Sequence, residues 1–361
     1  MRSLLGRFSR ATEMLEGAVS LHAPLGTSKP RLFATAAALT EAAEGKNQDR
    51  FVLKPLPGAL LAGIFDGHSV HSNAAGQQHA EAAARHLAAD LWKRTARRLE
   101  DARVELDSDA ELRALVERSF AAHQEWCEAR YKRDVSDMLL AEKERLEKEI
   151  GDEVPLELPQ EGGTTATVAI LHGRGLLVAW VGDSRALMGV REPTDGGELQ
   201  VIQLTCDHNL DDENERKRLL LRGGKSGKDV HFKHVSLAGV EGSLKVTRSL
   251  GDSPFHKNDV VSCRPDVRHY PLTAATRFVL IASDGIWDHL SNEQVGALVD
   301  EGIREHERAG KSRTEVAESV IELILARIRQ GQADGTMDSY VDDKSIVLLI
   351  ISPSEGPVQV C

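Results

Sequence analysis

Leu61-Ala62-Gly63-Ile64-Phe65-Asp66-Gly67-His68 is an apolar run of five that stops at an acid, a glycine and a histidine. The run suits a buried strand and is too short for an ordinary helix. Asp66 then projects from the end of a rigid element, and Gly67 lets the backbone turn so that its own carbonyl can face the same point. A carboxylate beside a carbonyl is a pair of hard oxygen ligands suited to Mg²⁺ or Mn²⁺. His68 adds a proton donor. Asp-Gly alone is also an ordinary turn, so the reading depends on whether the design recurs.

It recurs twice. Asp284-Gly285 follows the apolar run Phe278-Val279-Leu280-Ile281-Ala282-Ser283, and Asp342-Asp343 stand just before Lys344 and the closing run Ser345–Ile351. Neighbouring strands of one sheet would bring such ends together. Carboxylates converging in a dry cleft repel one another unless cations neutralise them. Two divalent ions sharing a bridging carboxylate lower the pKa of the water between them, which makes hydroxide available for attack on phosphorus. That chemistry needs no Ser or Cys nucleophile.

The 361 residues are long enough for one large domain or two ordinary ones, and 41% hydrophobic with 28% charged residues describes a globular chain. A net charge of −11 argues against a nucleic-acid binder or an anionic-membrane binder. Cys127, Cys206, Cys263 and Cys361 are widely spaced, as free thiols in a reducing compartment would be. A cytoplasmic or nuclear monomer is the expectation. No apolar run approaches the roughly 20 residues of a membrane span, and no secretory signal is visible. Arg2, Arg7 and Arg10, with no acid before Glu13, fit an amphipathic helix over Met1 to Ala18 and also a transit peptide; the helix is preferred.

Residues 1–30 are expected to form a helical extension ending in a loop, residues 31–352 one domain, and residues 353–361 a tail. Strands are expected at Arg31–Thr40, Phe51–Leu53 with 60–65, Thr164–Leu171 with Leu176–Val181, Ala186–Val190 with Leu199–Leu204, and at the two runs quoted above. Helices are expected over Ala74–Leu99, Asp109–Ile150, Glu213–Leu221 and Val316–Arg329, with 130–161 a helical insertion and linker. Strands in neighbouring runs with helices grouped between them describe a layered α+β domain.

Six blocks occur in order: Asn47-Gln48-Asp49, Asp66-Gly67-His68, Gly163-Thr164-Thr165-Ala166, Val181-Gly182-Asp183-Ser184-Arg185-Ala186, Thr247-Arg248-Ser249-Leu250-Gly251-Asp252 and Ala282-Ser283-Asp284-Gly285-Ile286-Trp287-Asp288. Together they resemble the metal-dependent serine/threonine protein phosphatases of type 2C, over about residues 31–352. The resemblance implies a central β-sandwich of two mostly antiparallel sheets flanked by helices on both sides. It implies two Mn²⁺ or Mg²⁺ ions bridged by Asp66, with the Gly67 carbonyl on one ion and Asp284 and Asp342 on the other. Asp49 would support the cluster, and Asp183 with Asp284 would hold a weaker third ion. His68 would protonate the leaving seryl or threonyl oxygen of a phosphoprotein substrate.

Some positions depart from the family pattern. Many members carry a phosphate-gripping arginine just before the Asn47 block; here Glu44 stands near that place, and Lys46 is the nearest cation. Lys46 can serve as a point charge but cannot make a bidentate grip. Gln48 replaces a frequent glutamate, Ser69-Val70 replace glycines, and Asp343 follows Asp342 where Asn is frequent. Arg185 and Asp252 read as residues that hold the fold, Trp126 and Trp180 as core, and Asp288 as a helix N-cap or turn residue. Residues 224–244, rich in Gly, Lys and His, read as a loop over the cleft. A regulatory domain that keeps the fold, and a hydrolase of another phosphoester such as a nucleotide, are the competing functions.

Overall fold

Each long apolar run divides its side chains between two cores, because successive strand residues face opposite sides of a sheet. In the closing strand Lys344–Pro353, Val347, Leu349 and Ile351 face one buried cluster, while Ile346, Leu348 and Ile350 face another. Strand Ala59–Phe65 does the same, with Leu60, Ala62 and Ile64 on one side and Leu61 and Phe65 on the other. Burial on both faces explains why these antiparallel strands read as continuous apolar runs rather than alternating ones. The computed structural model describes residues 19–25, 32–43, 46–56, 59–69, 73–100, 110–148, 162–192, 197–228, 233–237, 242–310 and 312–353.

Two sheets share the central cluster. The first runs, in spatial order, Val19–Leu25, Leu32–Glu41, Lys344–Pro353, Thr276–Ala282, Arg185–Val190 and Gln200–Gln203. The second runs Asp266–Pro271, Gly175–Val181, Ala166–His172, Ala59–Phe65 and Arg50–Leu56. Every pairing within them is antiparallel. Helices Asn292–Ala309 and Arg313–Ala333 cover the outer face of the first sheet through Val295, Val299, Val320, Ile321 and Ile324. Asn73–Ala82, a single π-helical stretch Ala83–Leu87, Ala88–Glu100 and Ala110–Lys148 cover the second through Leu87, Leu91, Leu112, Val116 and Phe120. The architecture is therefore α+β, a helix-flanked sandwich.

Two segments take a form other than the one expected of them. Val19–Leu25, placed in a helical extension and loop, is an edge strand paired with Leu32–Glu41; an edge position tolerates Pro24, which disguises the strand in the sequence. Segment 225–236, expected to be a loop, contains a hairpin of Lys225–Lys228 with Lys233–Ser236. The expected helix over residues 1–18, the linker 151–161 and all but Pro353 of the tail lie outside the described residues.

Segment 242–252, which borders the cleft, is fixed by a buried carboxylate. Helix Glu213–Leu221 is capped by Asp212, whose Oδ1 accepts from the Asn214 and Glu215 N–H groups. Glu215 accepts from Thr247 Oγ1 at 2.8 Å, Arg218 Nη2 at 3.0 Å and Arg248 Nε at 3.0 Å. Burial opposes ionisation, but these arginines prevail and hold its carboxyl at about 2. Glu215→Ala removes the acceptor shared by Thr247, Arg218 and Arg248, while Arg248 keeps Asp266 and Arg218 keeps the Thr247 carbonyl; it is expected to cost about 2–3 kcal/mol, read as a lower urea midpoint with unchanged slope. The folded-state pKa is depressed, so this stabilisation is whole above the ordinary value of 4.5 and fades as pH falls toward about 2. An unchanged midpoint would contradict the assignment.

Candidate active site

The cleft forms where two paired strands break together. Ala59–Phe65 and Ala166–His172 run in the large sheet, but beyond Asp66 and Thr165 the chains step into a small sheet in which Gly67–Ser69 pairs with Gly162–Thr164. Asp66 and Thr165 fasten the step reciprocally: Thr165 N donates to the Asp66 carbonyl at 2.8 Å, and Asp66 N donates to Thr165 Oγ1 at 3.1 Å. A side chain on Gly67 would strike the Gly76 carbonyl in the first covering helix. The Asp66 carboxylate is thereby aimed into a cleft of about 580 Å³.

The second acid arrives on a one-turn helix. Strand Thr276–Ala282 passes through Ser283 into Asp284–Trp287, and Trp287 Nε1 donates back to the Ala282 carbonyl at 2.8 Å. Gly285 lies so close to the Asp343 carbonyl that no Cβ would fit. Ser283 Oγ accepts from Ser345 N at 2.9 Å and donates to Asp49 Oδ2 at 2.7 Å, so buried Asp49 stands behind the cleft. Asp183 comes from the loop between Gly175–Val181 and Arg185–Val190.

Carboxylate oxygens of Asp66, Asp183 and Asp284 lie within 4.8 Å of one another. Burial, then the charges of Asp49, Asp284, Asp342 and Asp183, raises the Asp66 carboxyl well above its ordinary range. Burial likewise lifts Asp49 and Asp183 to about 7, against the pull of Ser283 on the former and Lys245 on the latter. Asp284 is the exception: burial would raise it, but Lys245 holds it low. A partly buried set of carboxylate oxygens whose ionisation is this costly fits hard divalent cations, which would supply the missing positive charge.

Asp342 lines the same cleft without joining the group of three. Its Oδ1 accepts from Lys46 Nζ at 2.8 Å and Asp343 N at 2.8 Å, and its Oδ2 accepts from Tyr340 Oη at 3.0 Å. Asp343 points inward, and its carboxylate accepts the backbone N–H groups of Ala43, Asn47, Gln48 and Asp49. The paired acids therefore have different tasks: Asp342 faces the cleft, and Asp343 ties down the chain that carries Asp49. Lys46 is in the cleft with its ammonium on Asp342, and no arginine lines the cleft among the described residues.

His68 Nε2 is 2.7 Å from Asp252 Oδ2, and Ser249 Oγ donates to the same oxygen at 2.5 Å. Burial would lower the imidazole, but Asp252 wins and its pKa is raised. Asp252, expected to hold the fold, thus orients the histidine and favours its charged form. Arg185 does brace the fold, with a bidentate pair on Asp207 and its guanidinium 5.4 Å from the Trp287 ring centre. Trp180 is fully buried in the core, whereas Trp126 is only partly buried and stacks on His86 and His123. Asp288 is a turn residue, as one of the two expected readings had it, at the C-cap of the one-turn helix and not at an N-cap, and it too lines the cleft. Lys245, with Nζ 2.5 Å from Asp284 Oδ2, had no signal in the sequence beyond its place in the 242–252 segment.

The family model for protein phosphatase 2C matches residues 63–333, well over half of the chain. The chain belongs to the protein phosphatase 2C family. Among curated relatives it is 30% identical over 217 residues to probable protein phosphatase 2C 36 of Oryza sativa subsp. japonica, covering 53% of this chain and 54% of that protein. It is 34% identical over 193 residues to probable protein phosphatase 2C 12 of the same plant, covering 52% and 46%. The chain spans about half the length of these relatives. A crystal structure of serine-threonine phosphatase 2C from Toxoplasma gondii superimposes with a TM-score of 0.64 at 21% identity, over 94% of this chain and 100% of that one. This last likeness bears on the fold, and it agrees with the helix-flanked sandwich. No helix among the described residues is long and apolar enough to cross a membrane.

Proposed function

We propose that the chain is a metal-dependent phosphatase of phosphoserine and phosphothreonine in proteins. The observation that carries this is the convergence of the Asp66, Asp183 and Asp284 carboxylates within 4.8 Å at a cleft that also holds the His68–Asp252 pair. Asp66 would bridge two Mn²⁺ or Mg²⁺ ions, with the Gly67 carbonyl on one, Asp284 and Asp342 on the other, and Asp49 behind them. Bound there, such ions would supply a water acidic enough to act as hydroxide near neutral pH and would neutralise charge on the phosphoryl oxygens. His68, held protonated by Asp252, gives its proton to the departing seryl or threonyl oxygen. Among the described residues the cleft has no stacking aromatic cluster, and the net charge of −11 disfavours a polynucleotide. A panel of phosphothreonine peptide and nucleoside monophosphates tests the substrate class: faster Mn²⁺-dependent turnover of the nucleotides would contradict it.

Lys46 is proposed as the contact to the substrate phosphate, in place of an arginine. As a point charge already shared with Asp342, it contributes to binding substrate and transition state alike. Lys46→Ala is therefore expected to raise KM more than it lowers kcat on a phosphothreonine peptide. An unchanged KM would remove Lys46 from the substrate site.

A further inference from the structure

The chain around Lys245 is pinned on both sides. Leu244 is bridged to Val235 of the hairpin and Val246 to Asn209, and both side chains are buried. Strand-like alternation sends Lys245 the other way, into the cleft. Its Nζ lies 2.5 Å from Asp284 Oδ2, 3.4 Å from Asp288 Oδ2 and 3.8 Å from Asp183 Oδ2. The buried Asp183 Oδ2 has no hydrogen-bond partner among the described residues, so this ammonium is the nearest compensation it has. Asp342 is served by a different cation, Lys46.

We infer that the Lys245 ammonium is a built-in cation standing where Asp183, Asp284 and Asp288 would otherwise hold a third divalent ion, so that the centre takes two ions and not three. This rests on the proposed two-ion reading of the cleft. Three donors on one ammonium match three carboxylates around it, and the bond to Asp284 Oδ2 leaves that residue its other oxygen for the ion shared with Asp66. A divalent ion on Asp183 and the same Asp284 oxygen would lie within a few ångströms of the ammonium, in a half-buried place where like charges are only partly screened. Because Leu244 is bridged to Val235, the same ion pair ties the hairpin to the acid cluster.

The test is a Mn²⁺ titration of the full chain, followed by electron paramagnetic resonance of the free ion and carried to several millimolar. Wild type is expected to bind two ions per chain, Lys245→Ala three, and Lys245→Arg two again. Adding Asp183→Asn to Lys245→Ala should return the count to two, which places the gained ion. Three ions on wild type would overturn the inference while leaving the metal-dependent reading intact. So would a count of two on Lys245→Ala with an unchanged circular-dichroism spectrum. If that variant does not fold, the wild-type count of two or three decides alone. No bound Mn²⁺ on wild type would overturn the two-ion reading itself, and this inference with it.

Discussion

Asp66→Asn is expected to lower Mn²⁺-dependent phosphate release from a phosphothreonine peptide by about 1,000-fold or more, while making the metal-free chain more stable. The activity follows from the proposed bridging role, since bound water reaches a pKa of about 7 only while the ions are held. The stability follows from electrostatics. Burial and then the charges of Asp49, Asp284, Asp342 and Asp183 raise the Asp66 carboxyl in the folded state. A folded-state pKa raised above the unfolded one costs stability as pH climbs from the ordinary carboxylate value through the folded value, because the fold must surrender a proton it would rather keep. An amide of the same shape removes that cost. The melting temperature without metal should therefore rise at neutral pH, and the gain on adding Mn²⁺ should vanish. In wild type the Mn²⁺-induced gain should be larger at pH 8 than at pH 5, because Asp49 and Asp183, both lifted to about 7, hold protons that an ion must displace in acid. An Asp66→Asn enzyme within about tenfold of wild type, roughly 1.4 kcal/mol of barrier, would take Asp66 out of the centre.

His68→Ala is expected to lower kcat on the same peptide by about 10²–10⁴, the usual contribution of a positioned general acid. Turnover of para-nitrophenyl phosphate should fall far less, because nitrophenolate departs without a proton and a threonyl alkoxide does not. Asp252→Asn supplies the complementary result. Asp252 keeps the His68 imidazole charged against the effect of burial, so its loss should move the alkaline limb of the peptide kcat profile to lower pH. Equal losses on both substrates would point to a collapsed site rather than a missing acid. An unmoved alkaline limb would separate the 2.7 Å pair from proton transfer.

Strand runs at 60–65, 278–283 and 345–351 were legible because burial on both faces leaves no polar residue to interrupt them. The small set of acids at their ends was legible for the complementary reason that a charge following such a run must have a partner. Helix Asn292–Ala309 was not read: Val295, Leu298, Val299 and Ile303 mark its core-facing side among many charges. Its start was nevertheless marked, since Ser291 and Gln294 exchange side-chain-to-backbone hydrogen bonds in a capping box. Strand Asp266–Pro271 was hidden by its edge position, where Val267 alone is buried. The site was legible as a list of acids but not as an arrangement. Nothing in Leu244-Lys245-Val246 says which carboxylates the lysine meets, because the segment is placed by Val235 in the preceding hairpin and by Glu215 and Asn209, both distant in sequence. The division of labour between Asp342 and Asp343, and the pairing of His68 with Asp252, depend on long-range contacts in the same way.

The central claim is a metal-dependent protein phosphatase, and its most direct test is phosphate release from a phosphothreonine peptide by the full chain, with Mn²⁺ and with EDTA, beside Asp284→Ala. Release that appears with Mn²⁺, stops with EDTA and is nearly abolished in the variant is the predicted result. A folded chain that binds Mn²⁺ yet releases no phosphate, or one that turns over equally in EDTA, would contradict it.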